Sequence, residues 1–217
     1  LTFTAAATSA TLGTEYVGSG SSTITLTTGA NSLNMDAITN DQTVNLVAGT
    51  DTLDASDMTG ALTVAFADED DLTNADTITA GSGTSDSLSL TLTVAGGASD
   101  LTNVTGFETI STATDIAGTI TTVDGNVAST AALTIDMTSN ATSASIVDIS
   151  AETNGAITVL GGAGGNTVTM SGSSLGDTIT GGTGTDNITV ATANLDSLDT
   201  VNGVSGTDTL IFSANGT

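Results

Sequence analysis

The sequence predicts an all-β chain wound as a parallel β-solenoid of short stacked strands. Three observations carry that expectation. Apolar residues recur two apart in short runs from one end of the 217 residues to the other, with Thr, Ser or Asn between them, the period of a strand with one buried face. No stretch shows a helical period. The composition is rich in Thr, holds 26 Gly, and lacks Pro and Trp with only 2% aromatics. Its core must therefore come from Val, Ile, Leu and Ala, which suit thin stacked layers and strands.

The runs begin with Ile24 and Leu26, then Val44 and Leu46, then Leu62, Val64 and Phe66, then Leu88, Leu90, Leu92 and Val94. Ile120 follows, then Leu133, Ile135 and Met137, Ile157 and Val159, Val168 and Met170, Ile179, Ile188 and Val190, and Leu210 with Phe212. Early runs start about 20 residues apart and later ones roughly 10, a pitch suited to rungs that each bury a face on the next. At roughly 20 residues per coil the chain makes about ten coils. An antiparallel β-sandwich is the alternative, since its strands recur at about 8 to 12 residues. Sandwiches favour large aromatics in the core, however, and Phe3, Tyr16, Phe66, Phe107 and Phe212 are few and scattered. The stretch from Ala5 to Leu12 reads as either a cap or a strand.

Charge sets the second constraint. Asp and Glu number 24 while Lys, Arg and His are absent, a formal net charge of -24. No internal salt bridge can hold these acids, so water, small cations or a cationic partner must relieve their repulsion. The mean hydropathy of +0.26 and 38% hydrophobic residues are too apolar for a disordered chain. A polyanion such as nucleic acid is excluded as a partner, and anionic membrane surfaces are unfavourable unless a divalent cation bridges. Without His, Lys, Arg or Cys the usual general bases, Schiff-base amines, thiol nucleophiles and phosphate clamps are missing, so no enzyme is expected. No apolar run reaches about 18 residues, which leaves no membrane span in the sequence. Leu1 is not preceded by Met and no signal peptide is visible, so the chain reads as part of a longer protein.

The sharpest motif is Gly181 to Thr189, GGTGTDNIT. It matches every position of the pattern GGxGxDxUx, in which U is a large apolar residue. Glycines let the backbone expose carbonyl oxygens, Asp supplies a hard oxygen ligand, and the apolar residue turns inward, which together make a half-site for Ca²⁺. Gly172 to Thr180, GSSLGDTIT, abuts it and sets Asp177 nine residues before Asp186, so one coil of two nonapeptides runs from Gly172 to Thr189. Gly161 to Thr169 carries Asn166 in the Asp position, and Gly203 to Ile211 restores Asp208. Fainter echoes place Asp51 before Leu53 and Asp86 before Leu88.

From Gly161 to Ile211 the chain resembles the calcium-binding RTX repeats of proteins exported by type I secretion. That resemblance implies Ca²⁺ shared between turns, with Gly182, Gly184 and Asp186 as ligands and Asp177 and Asp208 beside them. The pattern is broken by Asn166, by Leu175 in a glycine position, and by Met170 and Ser171, which interrupt the phase. Upstream, LTNVTGFETIS at Leu101 to Ser111 is similar to a connector of strand-repeat surface proteins, S-layer-like and giant adhesin chains among them. The same residues read equally as a turn at Gly106 between two strands, with Phe107 filling a coil.

Asp68, Glu69, Asp70, Asp71 and Asp76 form a second acidic cluster, costly unless solvated or metallated. Asp54 with Asp57, and Asp196 with Asp199, are weaker pairs. Repeated T-x-T pairs, such as Thr23 and Thr25 or Thr178 and Thr180, could form ranks like those of ice-binding solenoids. Their gaps along the sequence are irregular, which argues against it. The organisation expected is a strand-repeat solenoid over 1–160 continuous with an RTX-like region over 161–217. The function expected is structural and extracellular: a surface-layer, filament or adhesin segment that needs Ca²⁺ to fold and to assemble with copies of itself. A module directed at polysaccharide or ice is the alternative.

Overall fold

The structure, a computed structural model, describes residues 8–11, 21–91, 97–115 and 117–214. Every strand pairing within it is parallel, and the strands lie in three sheets of nine, six and five. The chain is a β-solenoid with almost no helix. The long sheet takes one strand from each pass of the chain: Ser22–Thr25, Gln42–Leu46, Leu62–Phe66, Ser87–Leu90, Thr109–Thr112, Ala132–Asp136, Ala156–Leu160, Thr178–Thr180 and Thr200–Asn202. Thr8–Thr11, Asn31–Asn34, Asp51–Asp54, Thr77–Thr79 and Val104–Thr105 make the first short sheet. Gly97–Asp100, Gly118–Thr121, Ile146–Asp148, Thr167–Thr169, Asn187–Ala191 and Thr209–Ser213 make the second.

The solenoid thus has one side that is strand throughout and two that exchange strand for turn. The exchange falls in one pass, where Gly97–Asp100 opens the second short sheet and Val104–Thr105 closes the first. Below it, the 3₁₀ turn Glu69–Asp71 occupies the side that Gly97–Asp100 takes over, with Asp100 N donating to Leu72 O at 3.2 Å. Above it, the 3₁₀ turn Asp124–Asn126 covers Val104–Thr105, with Asn126 Nδ2 donating to Leu101 O (2.7 Å) and Val104 O (2.8 Å).

Register turns the two-residue period into interior ladders. In the long sheet Ile24, Val44, Val64, Leu88, Ile110, Ile135, Val159, Ile179 and Val201 stand one above another. All but Val201 are buried. Leu33, Leu53, Ile78 and Val104 do the same in the first short sheet, and Ile120, Val147, Val168 and Ile188 in the second. Each such side chain contributes about 1.5–3 kcal/mol of transfer free energy. Because every ladder residue packs on the coils before and after it, the coils stabilise one another rather than themselves. Phe107 is buried beside the turn at Gly106, whose φ is +85°.

One expectation needs adjustment. The early, widely spaced runs all belong to the long sheet. Between them lie Asn31–Asn34, Asp51–Asp54 and Thr77–Thr79, which apolar periodicity did not mark because polar residues flank a single Leu or Ile. The described chain therefore passes through the long sheet nine times. The parallel pairing also continues without interruption across residue 160, from Ala156–Leu160 to Thr178–Thr180. The run from Ala5 to Leu12 contributes Thr8–Thr11 as a strand; the rest of it, and Leu92 and Val94, lie outside the described residues.

Candidate functional site

Several of the acids singled out by sequence stand where the chain turns into a strand, and one oxygen of each of these braces the coil before it. Asp51 Oδ1 accepts from Asn31 N (3.1 Å), Asp86 Oδ1 from Leu62 N (2.7 Å) and Asp177 Oδ1 from Ile157 N (3.0 Å). Asp186 Oδ1 accepts from Asn166 N (2.7 Å), and Asp208 Oδ1 from Asp186 N (3.1 Å). Asp76, Glu108 and Asp199 continue the pattern by accepting from the amides of Asp51, Asp86 and Asp177. A charged acceptor makes each bond worth about 1.5–3 kcal/mol. Asp51, Asp76, Asp86, Asp177 and Asp186 are all buried.

The sequence cluster from Asp68 to Asp76 is divided by the fold. Asp68 Oδ1 caps the 3₁₀ turn through Asp70 N at 3.1 Å, whereas Asp76 is inside, its Oδ2 accepting from Thr73 N (2.8 Å) and Thr73 Oγ1 (3.1 Å). Asp177 and Asp186 also separate, one entering the long sheet and the other the second short sheet. Among the described residues no three acidic side chains converge into a cage. Any cation here must draw most of its ligands from backbone carbonyls.

Two turns show where such oxygens gather. Asn166 Nδ2 donates to Gly164 O and Gly181 O at 2.8 Å each, to Asp186 Oδ1 at 3.1 Å and to Gly162 O at 3.2 Å. Asn31 Nδ2 repeats the arrangement, donating to Thr27 O and Gly29 O at 2.9 Å and to Asp51 Oδ1 at 2.8 Å. In both, an amide nitrogen sits among oxygens from its own turn and from the next coil.

One coil on, an Asp holds the same place in the register. A Cβ on Gly161 would lie 2.9 Å from Asn166 Nδ2, and a Cβ on Gly181, its counterpart in the next coil, would collide with Asp186 Oδ2. The second carboxylate oxygen of Asp186 therefore occupies the position of the Asn166 nitrogen. It is buried and has no hydrogen-bond partner, and the same is true of Asp51 Oδ2. A buried carboxylate oxygen without a donor calls for a proton or a cation beside it. The residues fit a hard cation: the Asp186 carboxylate with the carbonyls of Gly182 and Gly184 would hold Ca²⁺, and Asp51 offers the corresponding carboxylate near the other end of the chain. Gly182 and Gly184 are also required sterically, since a Cβ on either would strike the backbone of Gly162 or Gly164 in the coil below.

Burial raises the pKa of Asp51, opposed by hydrogen bonds from Asn31 and reinforced by Asp76 and Asp71. Burial likewise raises Asp86 against the amides of Leu62 and Gly81, and Asp177 against Ser171 and Ile157. Asp71 is raised by burial and by repulsion from Asp68, and Glu108 by burial. Asp115 goes the other way, lowered by the amides of Thr142 and Ser143.

Asn31 and Asn166 are the turn residues that sequence reasoning missed or discounted. An Asn in the Asp position reads as a lost ligand, yet its nitrogen donates to carbonyl oxygens of its own turn and the next coil. The available signal was the recurrence of a glycine shortly before each position, Gly29 before Asn31 and Gly49 before Asp51.

The outer face of the long sheet overturns one expectation. Thr23, Thr43, Thr63, Ser87, Thr109, Thr134, Thr158, Thr178 and Thr200 are register partners along all nine strands. Turns of unequal length absorb the irregular sequence gaps, leaving one unbroken hydroxyl rank. It is single, because the neighbouring outward rank is mixed: Thr25, Asn45, Ala65, Ser89, Ser111, Asp136, Leu160, Thr180 and Asn202.

No family model, curated protein or solved structure matches this chain. Among the described residues no helix is long and apolar enough to cross a membrane.

Proposed function

We propose that this chain is a structural, non-enzymatic segment of an extracellular surface layer, filament or large adhesin, and that Ca²⁺ bound at its Asp turns stabilises the solenoid and permits its copies to assemble. The observation that carries the reading is the buried Asp186 Oδ2, which has no donor and stands where Asn166 places a nitrogen among carbonyl oxygens. In a chain of net charge -24 with no basic side chain, the neutralising charge has to come from solution. Binding to the folded form alone stabilises it by mass action, so coils lock where calcium is plentiful and loosen where it is scarce. Neutralised turns also lower the repulsion between copies. The resemblance of 161–211 to RTX repeats supports export and calcium as the folding signal.

The test is assembly across a calcium titration, followed by light scattering and electron microscopy, with Mg²⁺ as the control for simple charge screening. Ordered arrays or filaments are expected to grow with Ca²⁺ and loosen on chelation. A chain that stays monomeric at every calcium level while binding a glycan or ice tightly contradicts the structural role.

A further inference from the structure

We propose that the outer face of the long sheet, along its threonine rank, is the surface on which a second copy of this chain docks. The inference rests on the self-assembling role above and names the face that performs it.

Three features select the occupant. The face is nearly free of charge: in its two outward ranks only Asp136 is acidic, in a chain carrying 24 acids and no base. Copies that repel everywhere else approach here at least cost. The second feature is repeat. Hydroxyl side chains recur at every strand, about 4.8 Å apart, and another copy offers the same repeat, so methyl and hydroxyl groups register along the whole length as identical side chains do between paired sheets. The third is size. At that spacing nine strands span roughly 38 Å, and with a width of about 12 Å the face covers about 450 Å² per partner. Two such faces bury about 900 Å², below the range of stable specific interfaces and within that of weak, transient ones, so the pair is weak and concentration-dependent, as a reversible lattice contact must be. Aromatic side chains, which would favour a sugar, are absent from both ranks.

Symmetry sharpens the prediction. Thr109 is the fifth of nine residues in the rank, so in a face-to-face pair related by a two-fold axis and overlapping along the full rank it meets Thr109 of the other copy whether the ranks run parallel or antiparallel. The chain contains no cysteine, which makes a single substitution an unambiguous reporter.

Sedimentation equilibrium of the wild-type chain in calcium is expected to show a monomer–dimer equilibrium. Thr109→Asp, which sets two carboxylates against each other, is expected to weaken it at least tenfold, while Thr167→Asp on the second short sheet leaves it within twofold. Thr109→Cys is expected to form a disulfide-linked dimer on mild oxidation at least tenfold faster than Thr167→Cys. This arm decides the matter should Thr109→Asp fold poorly by circular dichroism. A wild-type chain that is monomeric at every concentration, or equal cross-linking rates, overturns the proposal. So does slowed ice growth that Thr109→Asp abolishes, which would give the rank to ice. Melting with and without chelator, run in parallel, separates the two readings: a chain that calcium stabilises but that never dimerises fails only the docking face.

Discussion

Replacing Asp186 by Asn converts an oxygen that lacks a donor into a nitrogen that has acceptors. In the wild-type chain Asp186 Oδ2 is buried and unpartnered, a cost of about 1–3 kcal/mol. The new amide of Asp186→Asn would direct its nitrogen at the carbonyls of Gly182 and Gly184, as Asn166 does at Gly162 and Gly164. The change also weakens Oδ1 as an acceptor for Asn166 N and Nδ2, from charge-assisted to neutral bonds, which returns about 1 kcal/mol of the gain. The net expectation in chelator is a stabilisation of about 0–2 kcal/mol, a rise in Tm of up to roughly 8 °C for a domain of this size. In calcium the order reverses, because the variant has no carboxylate left to bind the ion at this turn. Thermal melts followed by far-UV circular dichroism, with and without EGTA, read both halves. If Asp186→Asn is destabilised in EGTA, or keeps the full calcium-induced rise in Tm, the equivalence between the Asn166 nitrogen and a cation is wrong.

The reverse substitution, Asn166→Asp, removes a donor to four oxygens and adds a buried carboxylate; it is expected to cost more than about 3 kcal/mol in chelator, measured by the same melts, with much of the loss recovered in calcium. Acid is expected to stabilise the calcium-free chain. Asp51, Asp86 and Asp177 have folded-state pKa values raised by burial above 3.8, so their contribution is fully present below pH 3.8 and lost as pH rises through the raised values; Tm in EGTA should therefore climb between pH 7 and pH 4, opposed by Asp115. Ile135→Ala opens a hole in the middle of the long interior ladder and is expected to cost about 2–5 kcal/mol, seen as a lower denaturation midpoint.

The solenoid was legible because its two strongest signals are local. A two-residue apolar period marks a strand wherever it occurs, and a composition without Pro or large aromatics leaves stacked thin coils as the way to bury Ile135 or Val159. What escaped is set by register, which no short window contains. Asp51–Asp54, DTLD, holds a single apolar residue and so shows no two-residue period; only pairing with Asn31–Asn34 places Leu53 on Leu33 and makes it a strand, with Asp51 buried. The carboxylates were legible as sites of unusual chemistry but not as braces, because the amide each one accepts lies a full coil earlier in the chain. The threonine rank was hidden for the same reason: the chain between Thr63 and Ser87 is longer than that between Thr43 and Thr63, yet both pairs are neighbours in the sheet.

The central claim is that the positive charge missing from the amino-acid composition is supplied by Ca²⁺ at the Asp turns. It is tested most directly by titrating calcium into the metal-free wild-type chain by isothermal calorimetry while following its thermal stability, against the same titration with Mg²⁺. Saturable binding with a Tm that rises with calcium, and a response to Mg²⁺ at least tenfold weaker, is the result expected. No binding heat together with identical melting in EGTA, calcium and magnesium would contradict it and leave the carboxylates as hydrogen-bonded braces alone.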